Sequence, residues 1–225
     1  HDRITWETKS FKRRYGEKLD AEADEFIEFA VDGTKRMKDL IDDLLAYSQA
    51  GTSELKLNEV DAEEAFRNAI ANLGNAIEAK SAEIAAQPLP RVLADKTQLT
   101  LVFQNLLANA IKFTRGCKPQ IRVEAHEVNG KWQFSIRDNG IGIAPEHQDR
   151  IFKIFRRLHL REEYEGTGIG LSVTQKIIER HGGQIWVSSL AGEGATFFFT
   201  LDKASPEVTP HKNVVASIPN EEFPN

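Results

Sequence analysis

The longest hydrophobic pattern in the chain is helical and lies near its beginning. Between residues 20 and 49, apolar and small side chains recur at alternating spacings of four and three, the heptad seam of helices that pack on helices. The seam consists of Phe26, Ala30, Gly33, Met37, Leu40, Leu44 and Tyr47. Phe29, Ile41 and Leu45 widen it beyond a two-stranded zipper, which indicates a bundle.

A single helical hairpin cannot enclose its own seam, whereas two hairpins can. Residues 3–14 are compatible with a shorter preceding helix, and YGEKLD would form the turn. We therefore expect residues 1–52 to form a helical hairpin that dimerises into a four-helix bundle. The alternative is that the long helix packs on the second domain of the same chain.

Residues 53–203 alternate helical and strand patterns. Residues 50–60 resemble a linker that enters an edge strand, and Asp61 is placed to cap a helix through about residue 79, with Glu64 completing a capping box. QPLPRV then predicts a break, and residues 97–113 predict a second helix.

Two strand pairs follow. QIRVEAHEV and KWQFSIRD read as a hairpin that turns at Asn129-Gly130, whereas QIWVSSL and TFFFTL form another after the helical GLSVTQKIIERHGG. These patterns predict an α+β fold, a two-layer α/β sandwich with a mixed, mainly antiparallel sheet. Residues 204–225 are polar and rich in proline, and we expect a flexible tail.

Composition narrows the functional classes. The chain has 225 residues, 40% of them hydrophobic, and a net charge of −5 that argues against a nucleic-acid partner. Cys117 is the single cysteine, so no internal disulfide forms. The sequence contains neither a membrane-spanning apolar run nor a signal peptide, and we expect a cytoplasmic location. Because the chain opens abruptly at His1, we expect a natural fragment or an engineered piece of a longer protein.

Candidate chemistry begins with a polar row on an otherwise apolar helix, FQNLLANAIKF. Asn105, Asn109 and Lys112 lie four and three residues apart and therefore share one face. An ordinary solvated face is the alternative. A carboxamide oxygen together with triphosphate oxygens suits Mg²⁺, and an ammonium group neutralises phosphate.

Two glycine-rich turns accompany this row. DNGIGI follows a strand directly, and GTGIGLS precedes a helix. Glycine permits close backbone approach, and a helix N-terminus attracts phosphate. Neither turn has the spacing of a Walker A loop or a Rossmann fingerprint. An Asp at a strand end can accept a hydrogen bond from an exocyclic amine such as that of adenine.

In their order and spacing, these motifs resemble the ATP-binding domain of sensor histidine kinases, a Bergerat or GHKL fold. NLLANAIKF matches the N box, DNGIGI the G1 box, IFKIF the F box and GTGIGLS the G2 box. IFRRLHLREEYEGTGIGLS and DEFIEFAVDGTKRMKDLIDDLLAYS are most similar to phytochrome-type kinases. The resemblance covers roughly residues 10–202 and implies ATP and Mg²⁺ as cofactors.

The resemblance also implies roles for individual residues. Asn109 would be the Mg²⁺ ligand, Asn105 and Lys112 would face the phosphates, and Asp138 would receive the adenine amino group. Phe152 and Phe155 would anchor a nucleotide lid at roughly residues 156–165, although ordinary core packing is the alternative for both. Arg156 and Arg157 would reach phosphate or form a solvated basic pair. The implied nucleotide-binding set is Asn105, Asn109, Lys112, Phe113, Asp138, Gly140, Gly142, Phe152, Phe155, Gly166, Thr167, Gly168, Gly170 and Leu171.

The match fails at the phosphoacceptor. The family's box reads His, acidic, Leu, two variable residues, Pro, Leu; His1 and Asp2 match its first two positions, but Trp6 replaces the proline. Restoring about six residues after Asp2 recovers the register. His1 and Asp2 are thus the acceptor and its acid beside a missing segment, or remnants of a tag, or part of a chain that lacks an acceptor.

The leading hypothesis is an ATP-dependent protein-histidine kinase core of a two-component system. It would act as a homodimer under an upstream sensor domain absent from this chain, and would transfer the γ-phosphate to a histidine and then to an aspartate of a response-regulator receiver domain. The alternatives are a non-catalytic dimerisation and regulator-binding module that retains nucleotide binding, and a clamp ATPase. The heptad hairpin favours the kinase over the clamp.

Overall fold

A long helix leads into a two-layer sandwich of helices on a sheet. The computed structural model describes residues 21–52, 54–156 and 166–204. Predictions for the first helix, His1, Asp2, Arg157, most of the lid and nearly all of the tail concern residues outside these ranges. In chain order the elements are α1 (Ala21–Thr52), β1 (Asn58–Asp61), α2 (Ala62–Asn72), α3 (Gly74–Lys80), β2 (Glu83–Ala86), β3 (Arg91–Ala94), α4 (Lys96–Lys112), β4 (Gln120–Val128), β5 (Lys131–Asp138), α5 (Pro145–Gln148), α6 (Gly170–Arg180), β6 (Ile185–Ser189) and β7 (Ala195–Asp202).

The main sheet has the order β2-β4-β5-β7-β6. Among the strands that the structure describes, β2 alone pairs in parallel, with β4, and the other pairs are antiparallel, so the predicted mixed, mainly antiparallel sheet is confirmed. Asn129 and Gly130 both have positive φ, 52° and 79°, which is the type I′ turn expected of Asn-Gly. Strands β1 and β3 form a separate antiparallel pair.

One local prediction was wrong. The helix expected from Asp61 to about residue 79 is two helices, because it is interrupted at Leu73 between Asn72 and Gly74, two poor helix formers. The expected break at QPLPRV is present at residues 87–90, and a strand begins at Arg91. The Asp61 cap is confirmed, since its Oδ1 accepts from the Glu63 amide at 2.9 Å.

Helix α4 is held on the sheet by aromatic side chains. The fully buried Phe103 lies edge-on to Phe66, Phe134 and Phe199, with ring centroids 5.6, 5.9 and 5.8 Å away. Phe134 and Phe199 stack at 4.7 Å. Burial of each large side chain is worth about 1.5–3 kcal/mol. This packing fixes the polar row of α4 relative to the strands beneath it.

The C-terminal end of helix α1 packs on the same chain, whereas most of its large seam side chains do not. Its end packs on α6, where Ala50 is 4% exposed and its carbonyl accepts from Arg180 at 2.8 Å. The alternative of packing on the same chain therefore holds for this end. Most of the large seam side chains remain exposed, and Phe26 is 66% exposed. Among the described residues, no helix is both long and apolar enough to cross a membrane.

Candidate functional site

A cavity of about 470 Å³ lies where α4, the loop after β5 and the loop before α6 converge. This volume is within the range of small-molecule sites. It is lined by most of the residues singled out from the sequence, namely Asn105, Asn109, Lys112, Phe113, Asp138, Gly142, Gly166, Thr167, Gly168, Gly170 and Leu171. Gly140, Phe152 and Phe155 do not line it.

The polar row of α4 borders this cavity, so it is not an ordinary solvated face. Asn105 is partly engaged with α6: its Nδ2 donates to the Gly170 carbonyl at 3.1 Å and to Thr174 Oγ1 at 3.3 Å. Asn105 thus fastens two helices as well as lining the cavity. Asn109 and Lys112 follow it along the same wall.

Asp138 lies at the end of β5 and is 9% exposed. Its Oδ1 accepts from the Gly140 amide at 2.8 Å and from the Ala195 amide at 3.1 Å. Burial raises the pKa of Asp138, and the two amide bonds oppose that rise. Because both bonds go to Oδ1, Oδ2 is left to meet a donor from a ligand.

The glycines after Asp138 have packing reasons of their own. A Cβ on Gly140 would lie 2.7 Å from the Phe113 carbonyl oxygen. Gly142 has a φ of 69°, and a Cβ there would lie 2.0 Å from the Leu190 carbonyl oxygen. Both positions exclude side chains because the loop presses on neighbouring backbone. Their proposed role in letting a base approach stays a prediction.

The turn between β6 and β7 holds the loop after β5 in place through hydrogen bonds, and sequence reasoning did not predict this contact. The Ser189 hydroxyl accepts from the Ile143 amide at 2.8 Å and donates to the Gly194 carbonyl at 2.6 Å. Gly194 has a φ of 82°, and a Cβ there would meet the Asp138 carbonyl oxygen at 2.1 Å. The AGEG sequence predicted a turn but gave no sign that this turn would contact the loop after β5.

The loop before α6 brings backbone to the end of the α4 row. A Cβ on Gly166 would lie 2.7 Å from Lys112 Nζ. Gly168 has a φ of 77°. The first amides of α6, from Gly170, have no intrahelical acceptor and carry partial positive charge. An ammonium group and a helix N-terminus therefore line the same cavity as Asp138.

Helix α1 adds acidic side chains that sequence reasoning did not assign to the site. Asp39, Asp42 and Asp43 line the cavity, and Thr167 donates a hydrogen bond from its Oγ1 to Asp43 Oδ2. Burial raises the pKa of Asp43, the Thr167 bond opposes it, and repulsion from Asp39 and Asp42 adds to it.

The two F-box phenylalanines differ. Phe152 is half-buried and packs against the core, as the core-packing alternative expects. Phe155 is 59% exposed, with a φ of 60° that is unusual for a side-chain-bearing residue. Arg156 borders the cavity, which favours the phosphate-reaching alternative over a solvated pair, and Arg157 lies outside the described residues.

The donor set fits a hard cation that a nucleotide brings with it. Asn109 offers a carboxamide oxygen beside Lys112, and Mg²⁺ commonly takes few protein oxygens in addition to phosphates and water. In the described ranges, no cluster of three His, Cys, Asp or Glu side chains could hold a metal by itself.

Comparison with known proteins gives one consistent answer. The family described as histidine kinase-, DNA gyrase B-, and HSP90-like ATPase matches residues 94–205. The chain is 53% identical over 188 residues to cyanobacterial phytochrome A of Nostoc sp.. That match covers 84% of this chain but only 25% of the phytochrome, so the chain spans about a quarter of its relative.

Solved structures similar to this chain include histidine kinases. ShkA, in complex with AMPPNP, is 27% identical with a TM-score of 0.66, over 90% of this chain and 46% of ShkA. Histidine kinase ThkA, in complex with the response regulator protein TrrA, is 26% identical with a TM-score of 0.64, over 87% of this chain and 56% of ThkA.

Proposed function

We propose that this chain, a sensor histidine kinase catalytic core of the phytochrome type, binds Mg-ATP in the cavity and phosphorylates a histidine. Residues 94–205 form its histidine kinase-, DNA gyrase B-, and HSP90-like ATPase domain. One observation carries this proposal. Asp138, Asn109, Lys112 and the start of α6 all line one cavity.

Asp138 is suited to bind the adenine. An exocyclic amino group donates hydrogen bonds, and a carboxylate only accepts them. Oδ1 is occupied by two backbone amides, which hold the carboxylate rigidly and leave Oδ2 for the base. Ile141, Ile143 and Ile151 line the same part of the cavity and offer apolar contact to an aromatic ring.

The other end is suited to the triphosphate. Lys112 and the first amides of α6 neutralise and orient phosphate oxygens. Asn109 would hold Mg²⁺, which when bound supplies positive charge on the phosphate oxygens. Arg156 adds a cation at the cavity wall.

Phosphoryl transfer to a histidine is the reaction proposed for this site. The acceptor imidazole nitrogen attacks the γ-phosphorus, the bond from that phosphorus to the β–γ bridging oxygen breaks, and ADP leaves. We propose His1 as the acceptor, and Asp2 as the acid that orients or takes the ring proton, in a chain whose His box is complete. An aspartate of a response-regulator receiver domain would then accept the phosphoryl group, as the ThkA–TrrA complex suggests for its relatives.

Assembly completes the proposal. Exposed Phe26, Met37, Leu40 and Leu44 give α1 an apolar face that a second copy of this chain would cover in a four-helix bundle. An upstream sensor domain would lie before this bundle in the longer protein.

Calorimetric titration tests the nucleotide site. Asn109→Ala should weaken Mg-ATP binding much more than metal-free ADP binding, because only the former uses the metal. The matched control is Asn68→Ala, on the exposed face of α2. Titration curves for Asn109→Ala that equal those of the parent chain with both ligands would refute the metal assignment, and a parent chain that binds neither would refute the site.

A further inference from the structure

Helices α4 and α6 are antiparallel and are joined by polar contacts at two points. At the start of α6, Asn105 Nδ2 reaches Gly170 and Thr174. At its end, His181 reaches Asp95, the residue that caps α4. These helices carry the two halves of the phosphate end of the cavity, so their mutual register decides whether both halves meet one ligand.

His181 is buried, with 4% exposure, and both ring nitrogens are engaged. Nε2 accepts from the Asp95 backbone amide at 3.0 Å, and Nδ1 lies 2.7 Å from the Ile177 carbonyl oxygen. An amide only donates and a carbonyl only accepts, so the ring must be neutral with its proton on Nδ1. A protonated ring would place an N–H against the Asp95 amide.

Asp95 links this ring to the site. Its Oδ1 accepts from the Gln98 amide at 3.0 Å and so caps the first turn of α4, while its own amide is held by His181. The Asn109 and Lys112 side chains lie on the same continuous helix. A shift at the cap therefore moves them relative to the amides of α6.

We propose that His181 is a positioning residue of the nucleotide site, because its neutral ring holds the start of α4 against the end of α6 and so sets the register of the phosphate-binding groups. The inference rests on the proposed ATP site. Asp138 is carried by β5 and braced by the β6–β7 turn, so the adenine end does not depend on this register.

The surroundings of His181 favour its neutral ring. Burial lowers the pKa of His181, the Ile177 carbonyl and Asp95 raise it, and Arg180 lowers it further. On the sheet side, the Lys131–Asp202 ion pair reaches the neighbouring Gly182 carbonyl. Carboxylates ordinarily titrate below about pH 5, and lysine and arginine above about pH 10.

Two variants separate positioning from mere stability. His181→Ala removes both bonds, whereas His181→Gln keeps an oxygen that can accept from the Asp95 amide and cannot be protonated. At pH 7.5 we expect His181→Ala to bind Mg-ATP about fivefold more weakly, the effect of losing one such hydrogen bond, and to bind adenosine unchanged. His181→Gln should stay near the parent chain for both ligands.

The pH profile supplies the second readout. As pH falls from 7.5 to 5, the affinity of the parent chain for Mg-ATP should fall below that of His181→Gln. Any effect of Asp138 titration is the same in both proteins, because both carry that residue. Equal profiles for these two proteins would overturn the inference. So would a folded His181→Ala that binds Mg-ATP like the parent chain or that loses adenosine equally. If His181→Ala does not fold, the His181→Gln profile alone decides. A parent chain without any nucleotide affinity would instead refute the proposed function.

Discussion

Replacing Asp138 by Asn isolates the recognition of the base from the folding of the loop that holds it. The amide oxygen of Asn can keep the two bonds that Asp138 Oδ1 accepts from Gly140 and Ala195. The other atom changes from an acceptor to an NH₂ donor. In the proposed complex, that donor would face the amino group of adenine.

The expected loss follows from one charged hydrogen bond. A bond to an ionised acceptor contributes about 1.5–3 kcal/mol, so ATP affinity should fall by about tenfold to a hundredfold. The affinity for GTP should fall less than that for ATP, or rise, because guanine presents O6, an acceptor to which an NH₂ group can donate. The ratio of ATP to GTP affinity is therefore more diagnostic than either value.

Stability should move the opposite way. Because burial raises the pKa of Asp138, its ionised form costs folding free energy at neutral pH, and this cost disappears as pH falls through the raised pKa. Asp138→Asn should therefore melt at or above the parent temperature at pH 7. The advantage should shrink as the pH is lowered.

Calorimetry with ATP and GTP, and thermal melts at several pH values, test these expectations. Asp32→Asn, on the exposed part of α1, is the matched control. The reasoning would be refuted if Asp138→Asn kept the parent's preference for ATP over GTP, or if its loss of affinity came with a comparable loss of melting temperature.

The remaining predictions concern assembly, charge and transfer. Leu40→Glu with Leu44→Glu should give a monomer in sedimentation that still binds nucleotide, since both side chains are exposed in one chain; a monomeric parent would contradict the dimer. Asp43→Asn should tighten Mg-ATP binding several-fold by removing a negative charge while keeping an acceptor for Thr167, and unchanged titrations would exclude such repulsion. The chain as written should take little acid-labile, base-stable phosphate from γ-labelled ATP. A His box completed by restoring about six residues after Asp2 should recover the label, whereas strong label on His1 of the unaltered chain would contradict the proposed register.

Local signals were enough for much of this molecule. Asn129-Gly130 predicts its turn because few other pairs accept two positive φ angles, and Asp61 predicts a helix start because its side chain caps neighbouring amides. The N-box and glycine-rich motifs converge on one cavity, as their resemblance to an ATP-binding domain implies. In contrast, β2 and β3 have four residues each, too few for a periodic pattern beside prolines.

What the sequence could not predict are contacts between distant segments. Asp43 meets Thr167, Asp95 meets His181, and Ile143 meets Ser189, yet none of these pairs shares a local pattern. Each is decided by how helices and strands pack, which one sequence does not encode as a spacing. Phe152 illustrates the same limit, since a motif match could not distinguish lid anchor from core.

The contacts of α1 with its own ATP domain give the helix a mechanical role. Asp43 meets Thr167, the Tyr47 ring lies 4.6 Å from Lys176 Nζ, and the Ala50 carbonyl meets Arg180. These α1 residues are four and three positions apart and so share one face of the helix, and Tyr47 also belongs to the heptad seam. A 32-residue helix is a stiff rod about 48 Å long. We therefore expect a rotation of α1 about its axis, imposed at its N-terminal end, to weaken all three contacts together. The rotation angle of α1 would then control the mobility of the loop at Thr167.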